Sequence, residues 1–192
     1  MENFEQKIPE LISAQAIQDK VKEMGRQITK DYSNRYPLRI IGALKGCFVF
    51  MADLIKCIDL PVKVDFMEIS SYGDAMESSG NVKIIKDLSH DIAGENVLIA
   101  EDIIDTGLTL NHTIAMLHTR NPKSIAVASL LIKNEKQQLK YPAKYIGFEI
   151  EDKFVVGYGL DYKGYMRNMP YIGVVTESDQ LDLFDNLEAE KE

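Results

Sequence analysis

The chain has 192 residues, of which 45% are hydrophobic and 27% are charged, and these values are typical of a globular protein with one substantial core. Its formal net charge of -8 argues against a broad nucleic-acid or anionic-membrane surface, because such surfaces need clustered Lys and Arg. No apolar run is long enough to span a bilayer, and the chain does not begin with a basic, apolar signal peptide. We therefore expect a cytoplasmic protein that binds small ligands or other proteins, and neither nucleic acid nor a membrane.

Cysteine and histidine form no recognisable metal or disulfide pattern. Cys47 and Cys57 cannot make a disulfide framework and lack a paired metal-ligand spacing. The three histidines show no zinc-type arrangement with acids or thiols. We expect both cysteines to be small packing residues.

Helix and strand patterns alternate along the first third of the chain. Ser13 is suited to cap an amphipathic helix, because apolar residues recur at one-face spacing from Ile17 to Ile28. Residues 38–44 predict a strand and residues 48–58 predict an apolar helix. This order forms the first half of a βαβ unit.

A polar loop interrupts the next pair of predicted strands. Residues 62–69 predict one strand, and a returning strand is expected over 82–85. Residues 70–81 are polar, contain glycine and serine, and are short of packing side chains, so they predict a mobile loop. That loop is either an active-site lid or an idle hairpin tip.

In the second half of the chain, helix and strand patterns continue to alternate up to about residue 150 and then stop. An apolar stripe predicts a helix that begins near Thr109 and ends before Asn121-Pro122, and residues 124–132 and 145–150 predict two more strands. The segment beyond Phe154 is aromatic and rich in glycine, and it indicates a small subdomain over one end of the sheet.

These patterns together predict an α/β fold with a central, mostly parallel sheet flanked by helices. We expect a single domain over residues 1–177. A small hood is expected from the N-terminal segment together with residues 151–175. Residues 178–192 are expected to form an acidic tail.

Residues 97–110 carry the strongest functional signal. An apolar run ends in the adjacent acids Glu101 and Asp102, and Asp105-Thr106-Gly107 then leads into a predicted helix. Ligands bind at the carboxyl edge of open parallel sheets, and a helix N-terminus presents free N–H groups to an anion. Carboxylates beside such a cradle favour a ligand that has both hydroxyls and phosphate, and a phosphorylated ribose fits.

Two standard nucleotide-binding motifs are missing from the sequence. The chain has no Gly-x-x-x-x-Gly-Lys-Ser/Thr loop, which argues against a P-loop ATPase. Gly157-Tyr158-Gly159 lacks the third glycine and the strand-to-helix setting of a dinucleotide fingerprint. Residues 105–109 are therefore the expected phosphate cradle.

The segment 101–109 resembles the phosphoribosyl-pyrophosphate signature of type I phosphoribosyltransferases, and in particular that of the hypoxanthine-guanine phosphoribosyltransferases. Four further segments match in the same order: residues 44–46, 71–73, 131–133, and 153–162 with Arg167-Asn168. The resemblance implies the type I phosphoribosyltransferase fold. It also implies transfer of a 5-phosphoribosyl group from phosphoribosyl pyrophosphate to a 6-oxopurine, with Mg²⁺ as cofactor, by a homodimer or homotetramer.

The resemblance assigns roles on the sugar side of the reaction. The implied 5′-phosphate ligands are Asp105, Thr106, Gly107, Leu108 and Thr109. Glu101 and Asp102 are implied to hold the ribose hydroxyls, directly or through Mg²⁺, and Asp161 is implied to lie near a second metal ion. Lys45 and Gly46, which follow a non-proline cis peptide in the family, and Arg167 are implied to contact pyrophosphate.

On the base side, the resemblance implies that Lys133 donates to the purine O6, that the Phe154 ring stacks on the heterocycle, and that the Val155 backbone reads its edge. Asp105 is implied to accept or relay a proton at N7 as general base. Ser71 and Tyr72 match the loop that closes over the transition state.

Other functions remain open on the sequence alone. A non-catalytic phosphoribosyl-pyrophosphate sensor would share the sugar motif, although such proteins usually carry a basic face or an extra DNA-binding domain. A flavodoxin-like receiver would place its acidic pair after the first strand, whereas Glu101 lies mid-chain. A phosphoribosyltransferase for xanthine or uracil differs only in the base pocket.

Overall fold

The structure is a computed structural model that describes residues 8–71, 82–133 and 138–176. The elements are β1 (Glu10–Ile12), α1 (Ala14–Tyr32), β2 (Leu38–Leu44), α2 (Phe48–Lys56), β3 (Lys63–Ser71), β4 (Val82–Lys86), β5 (Asn96–Ile104), α3 (Leu108–His118), β6 (Ser124–Lys133), β7 (Tyr145–Ile150), β8 (Val155–Val156) and β9 (Ile172–Val174).

The main sheet has the strand order β4-β3-β2-β5-β6-β7. Its neighbouring strands are parallel except for β3 and β4, which pair antiparallel. The order runs in one direction from β2 to β4 and in the other from β5 to β7, so it reverses between β2 and β5. The predicted α/β architecture with a mostly parallel sheet is confirmed.

The helix α1 begins where the sequence predicts. The Ser13 hydroxyl accepts a hydrogen bond from the Ala16 amide at 3.2 Å, which satisfies one of the unpaired N–H groups of the first turn. Residues three and four apart along one face, from Ile17 to Ile28, are buried.

Helices cover both faces of the sheet. On one face α1 and α2 pack against residues such as Ile40 and Leu98, and on the other α3 packs against Ile41 and Ile99. Successive side chains of a strand point to opposite faces, so the central strands are buried on both sides. Neither these helices nor any other described helix is long and apolar enough to cross a membrane.

A second sheet has the antiparallel order β1-β9-β8 and joins the two ends of the described chain. We call this sheet, with residues 157–171, the hood. A Cβ atom on Gly159 would clash with the Gly46 carbonyl, so the hood lies directly against the loop after β2. The expected acidic tail and its boundary at residue 177 lie outside the described residues.

Among the predicted boundaries that differ from the structure, three have a clear physical reason. The expected loop over 70–81 is wrong for its first two residues, because β3 runs to Ser71 and pairs there with Val82; residues 72–81 lie outside the described part. The helix α2 ends at Lys56, two residues early, because the Cys57 amide donates to the Leu54 carbonyl and tightens the last turn. The strand β5 continues past the acids to Ile104, since it stays paired with β6.

Candidate active site

The carboxyl ends of β2 and β5 enclose a cavity of about 320 Å³. Ligands of open α/β sheets bind where the strand order reverses, and this cavity lies at that point. The predicted residues that line it are Lys45, Gly46, Glu101, Asp102, Asp105, Thr106, Gly107 and Thr109. Leu108 adjoins the lining as the first residue of α3.

Residues 105–109, which we call the phosphate loop, join β5 to α3. Gly107 is the N-cap of α3 and has φ 78°, a left-handed conformation that a side chain would strain. The Asn111 amide donates to the Gly107 carbonyl at 2.9 Å and closes the first helical turn. The amides before it have no intrahelical acceptor, because a helix N-terminus leaves its first N–H groups unpaired, so the loop can bind an anion.

A segment distant in sequence supports the phosphate loop. The Gln138 amide donates to the Thr106 carbonyl at 2.9 Å, and a Cβ on Gly107 would press against the Leu139 side chain. Asn111 is buried on α3 and binds the same segment twice, by donating to the Gln138 carbonyl and by accepting from the Lys140 amide.

The acids Glu101 and Asp102 lie in the second half of β5 and are half-buried. Burial raises the pKa of Asp102 to about 6, although its own amide and that of Ile103 favour the charged form. Burial and the neighbouring Asp102 charge raise the pKa of Glu101 well above its ordinary value. A Cβ on Gly46 would clash with the Asp102 carboxylate, so the loop after β2 lies directly against this acid.

The acid pair suits a hard cation in its chemistry and in its need for charge compensation. Carboxylate oxygens are the ligands that Mg²⁺ prefers, and Mg²⁺ usually binds through one or two carboxylates together with substrate phosphates and water. Within the described ranges, no three His, Cys, Asp or Glu side chains form a group that could hold a metal ion by themselves. Glu101 and Asp102 therefore fit a cation whose remaining ligands come from substrate and water.

A third group of predicted residues connects the hood to the loop after β2. The Leu44–Lys45 peptide is cis, and the Lys45 side chain is exposed. Arg167 donates to the Gly159 carbonyl and forms an ion pair with Asp161, both at 2.7 Å. Asp161 also accepts from the Gly164 amide at 2.7 Å, so its carboxylate also stabilises a turn of the hood.

The predicted base residues Lys133, Phe154 and Val155 are not among the residues that line this cavity. Lys133 ends β6, and its Nζ lies 3.0 Å from Asp152 Oδ1 and 3.6 Å from Asp105 Oδ2. The Phe154 ring is half-exposed and meets the Tyr162 ring edge-on, with ring centres 5.4 Å apart. Val155 is buried in β8.

Comparison with known proteins decides the family. Residues 9–163 match the model of the phosphoribosyl transferase domain. The chain belongs to this family.

The relatives of this phosphoribosyltransferase include the hypoxanthine-guanine phosphoribosyltransferase of Bacillus subtilis, which is 52% identical over 165 residues, covering 86% of this chain and 91% of that protein. The bifunctional protein TilS/HprT of Listeria monocytogenes is 46% identical over 175 residues, covering 91% of this chain and 26% of its own length. The crystal structure of a hypoxanthine phosphoribosyltransferase from Staphylococcus aureus has a TM-score of 0.88 at 44% identity, covering 93% of this chain and 97% of that one. The type I phosphoribosyltransferase fold is thus confirmed.

Two predicted residues add nothing to this geometry. Ser71 ends β3, and only its backbone is described. Tyr72 lies outside the described residues.

Sequence reasoning missed other residues at the site. Asn111 and Asp152 contact predicted site residues but belong to none of the motifs that we used. Tyr162 lies within the matched segment 153–162, but no role was assigned to it. The contact of Asp152 with Lys133 joins residues that are 19 apart in the chain, and only a predicted pairing of β6 with β7 could have indicated it.

Proposed function

We propose that the protein is a purine salvage enzyme. It transfers the 5-phosphoribosyl group of phosphoribosyl pyrophosphate to hypoxanthine or guanine and forms IMP or GMP with pyrophosphate. The observation that carries the proposal is the meeting of three groups at one sheet edge: the phosphate loop, the acid pair of β5, and the pair of Lys133 and Asp105. Relatives named for the same reaction support it.

The chemical difficulty is the separation of a highly charged leaving group from C1′ of the ribose, which becomes oxocarbenium-like. The C1′–O bond to pyrophosphate breaks while purine N9 bonds to C1′, and a proton leaves the base at N7. Fixed groups that match this charge distribution stabilise the transition state without having to reorganise.

The phosphate loop fixes the 5′ end of the sugar. Its amides and the hydroxyls of Thr106 and Thr109 donate to the 5′-phosphate, and the positive end of the α3 dipole adds to the attraction. Glu101 and Asp102 accept from the 2′- and 3′-hydroxyls or share a cation with them. When bound there, Mg²⁺ supplies positive charge to the pyrophosphate oxygens as they become more negative.

Pyrophosphate lies between the loop after β2 and the hood. Lys45 and Gly46 offer backbone donors there, and Arg167 offers a guanidinium that suits phosphate oxygens. Because Arg167 is anchored on the Gly159 carbonyl, its direction is set by the hood.

The base site selects an oxygen at the purine 6-position. A lysine ammonium has three donors and no acceptor, so Lys133 favours O6 over a 6-amino group. Asp105 takes the N7 proton as general base. Phe154 stacks on the ring, and Asp161 belongs to the pyrophosphate side as a candidate second metal ligand.

A turnover panel tests this proposal. The protein is incubated with phosphoribosyl pyrophosphate, Mg²⁺ and either hypoxanthine, guanine, xanthine or uracil, and nucleotide formation is followed by chromatography. We expect product with hypoxanthine or guanine. Product with uracil alone would contradict the assignment of the base site. If none of the four bases gave product, the protein would instead be a sensor that binds the sugar donor without reaction.

A cytoplasmic location and assembly into a homodimer or homotetramer belong to the same proposal. The family resemblance supports the assembly. Cell fractionation and sedimentation velocity test the two statements separately.

A further inference from the structure

Asp152 contacts Lys133, the residue that the proposed function assigns to base recognition, but belongs to no part of the machinery described above. It lies in the turn between β7 and β8, and its Oδ1 accepts a hydrogen bond from Lys133 Nζ at 3.0 Å. Asp105 Oδ2 lies 3.6 Å from the same Lys133 Nζ, a distance that is too long for a normal hydrogen bond. Lys133 therefore lies between two acids and is held more closely by Asp152.

Strand pairing determines this arrangement. Lys133 is opposite Ile150 in the parallel pair of β6 and β7, and Asp152 follows two residues later. Its position relative to Lys133 is thus set by the sheet. Asp105 approaches from the other side, on the loop that leaves β5.

Burial makes the choice between the two acids important. The Lys133 side chain is only 11% exposed, so its charge needs a nearby carboxylate. If Asp152 did not supply one, Asp105 would be the nearest described partner, and the ammonium would move toward it. Asp105 would then be engaged by Lys133 and less available to the base.

We propose that Asp152 is a positioning residue for purine recognition. It holds the Lys133 ammonium away from Asp105, so that Lys133 donates to O6 while the Asp105 carboxylate stays open toward N7. This inference rests on the proposed function. It adds a residue that acts through Lys133 and does not itself touch the substrate.

The test is Asp152→Asn, which keeps the shape of the side chain and removes its charge. We expect KM for hypoxanthine to rise about tenfold, which corresponds to about 1.4 kcal/mol and is close to the value of a charge-assisted hydrogen bond. We expect KM for phosphoribosyl pyrophosphate to change by less than about twofold, because the sugar site has separate contacts. Asp152→Glu, which keeps the charge, should show a smaller rise in the same parameter.

The matched control is Glu151→Gln. Glu151 is the preceding residue, its side chain is 74% exposed, and its carboxylate pairs with Lys153 at 2.8 Å. We expect its kinetic constants to match wild type. If Asp152→Asn and Asp152→Glu both behaved like this control, or if KM rose equally for both substrates, the positioning role would be wrong.

A double-mutant cycle distinguishes action through Lys133 from a general structural effect. In a Lys133→Met background, Asp152→Asn should raise KM for hypoxanthine by less than about twofold more. The full tenfold effect in that background would overturn the inference. Wild-type protein that formed no nucleotide from either base would instead overturn the proposed function, and this inference with it.

Discussion

Asp105 lies at the junction between the sugar side and the base side of the candidate site. Asp105 lines the cavity at the start of the phosphate loop, and its carboxylate lies 3.6 Å from Lys133 Nζ. In the proposed reaction, the backbone of Asp105 binds the 5′-phosphate and its side chain accepts the proton of the base. We therefore expect binding of the sugar donor and proton transfer to depend on different atoms of Asp105.

Asp105→Asn separates these two roles. We expect kcat to fall about a hundredfold, because an amide cannot accept the proton, while KM for phosphoribosyl pyrophosphate changes by less than about twofold. Steady-state kinetics with both substrates varied measures this. An equal loss in kcat and in affinity for the sugar donor would contradict the base role, and Asp19→Asn on the exposed face of α1 is the control.

Gly107→Ala tests the backbone of the phosphate loop. The new Cβ would sit at φ 78° and press on the Leu139 side chain, so either that side chain or the loop must move. We expect KM for phosphoribosyl pyrophosphate to rise at least about tenfold and stability to fall by about 1–2 kcal/mol from the left-handed strain.

Gly94→Ala is the matched control for that substitution. Gly94 has φ 73°, but nothing lies within 4 Å of the position of its Cβ, and it precedes β5 at the other end of the strand. It should lose similar stability with unchanged KM. Equal rises in KM for the two variants would show that the loss comes from general strain.

At this scale, sequence predicted contacts that are local in the chain. The phosphate loop could be predicted because residues 105–109 are consecutive. The contact of Asp152 with Lys133 could not, because it exists only after β6 and β7 pair. An acid two residues beyond one predicted strand, beside a strand that ends in lysine, was the only available signal.

The segment 138–140 shows how one element stabilises another at the site. It lies between β6 and β7 yet bonds to Thr106 of the phosphate loop and to Asn111 of α3. Both polar atoms of the Asn111 amide are used, and the side chain is buried. The loop conformation therefore depends on a segment about 30 residues later in the chain.

Asn111→Ala should loosen this connection. The substitution removes the partner of the Gln138 carbonyl and of the Lys140 amide, so we expect KM for phosphoribosyl pyrophosphate to rise severalfold, about 1 kcal/mol in binding. His112→Ala, the adjacent exposed position on α3, should leave KM unchanged. An unchanged KM for Asn111→Ala with a lowered melting temperature would mean that the contact serves stability alone.

Element boundaries were predicted best where an apolar run is bounded on both sides by polar residues. The predicted bounds of β2 and β7 agree with the structure, because each is a compact run between polar segments. The strands β3 and β5 extend further than predicted, because pairing with a neighbour continues through polar residues. The pattern of hydrophobic residues does not show how far such pairing extends.

Buried charges stabilise the amino-terminal ends of the central strands, at the end of the sheet opposite the candidate site. Arg39 on β2 donates to Glu95 at 2.6 Å, and Lys63 at the start of β3 pairs with the same carboxylate. These contacts lower the pKa of Glu95, with the Arg39 hydrogen bond as the largest cause. The network joins β2, β3 and β5 at the end away from the candidate site.

Glu95→Gln tests this network. Because the folded state holds the pKa of Glu95 below its ordinary value of 4.5, its stabilisation is present above that pH and is lost as pH falls through the lower folded value. We expect the free energy of unfolding at pH 7 to fall by about 3 kcal/mol. The difference from wild type should shrink below about pH 4.5, as measured by urea unfolding across pH.

Glu23→Gln is the control for this pH series, because Glu23 pairs with Lys20 on the exposed face of α1. It should match wild type at each pH. A Glu95→Gln deficit that stayed constant down to pH 3 would show that packing, and not charge, holds the edge together.

The strand order explains why the carboxyl ends of the strands can bind ligand while their amino ends are held together by ion pairs. Parallel strands place their carboxyl ends together, and the reversal between β2 and β5 opens the cavity there. The α/β class could be predicted from the alternation of patterns. The position of β5 beside β2 could not be predicted, because the periodicity of hydrophobic residues does not determine the order of strands in a sheet.

The most direct measurement is a crystal structure of the protein soaked with IMP. We expect the 5′-phosphate to accept hydrogen bonds from amides of residues 106–109, the ribose hydroxyls to face Glu101 and Asp102, and O6 to lie within hydrogen-bond distance of Lys133 Nζ. Clear density for IMP with its phosphate away from residues 106–109 would contradict this expectation.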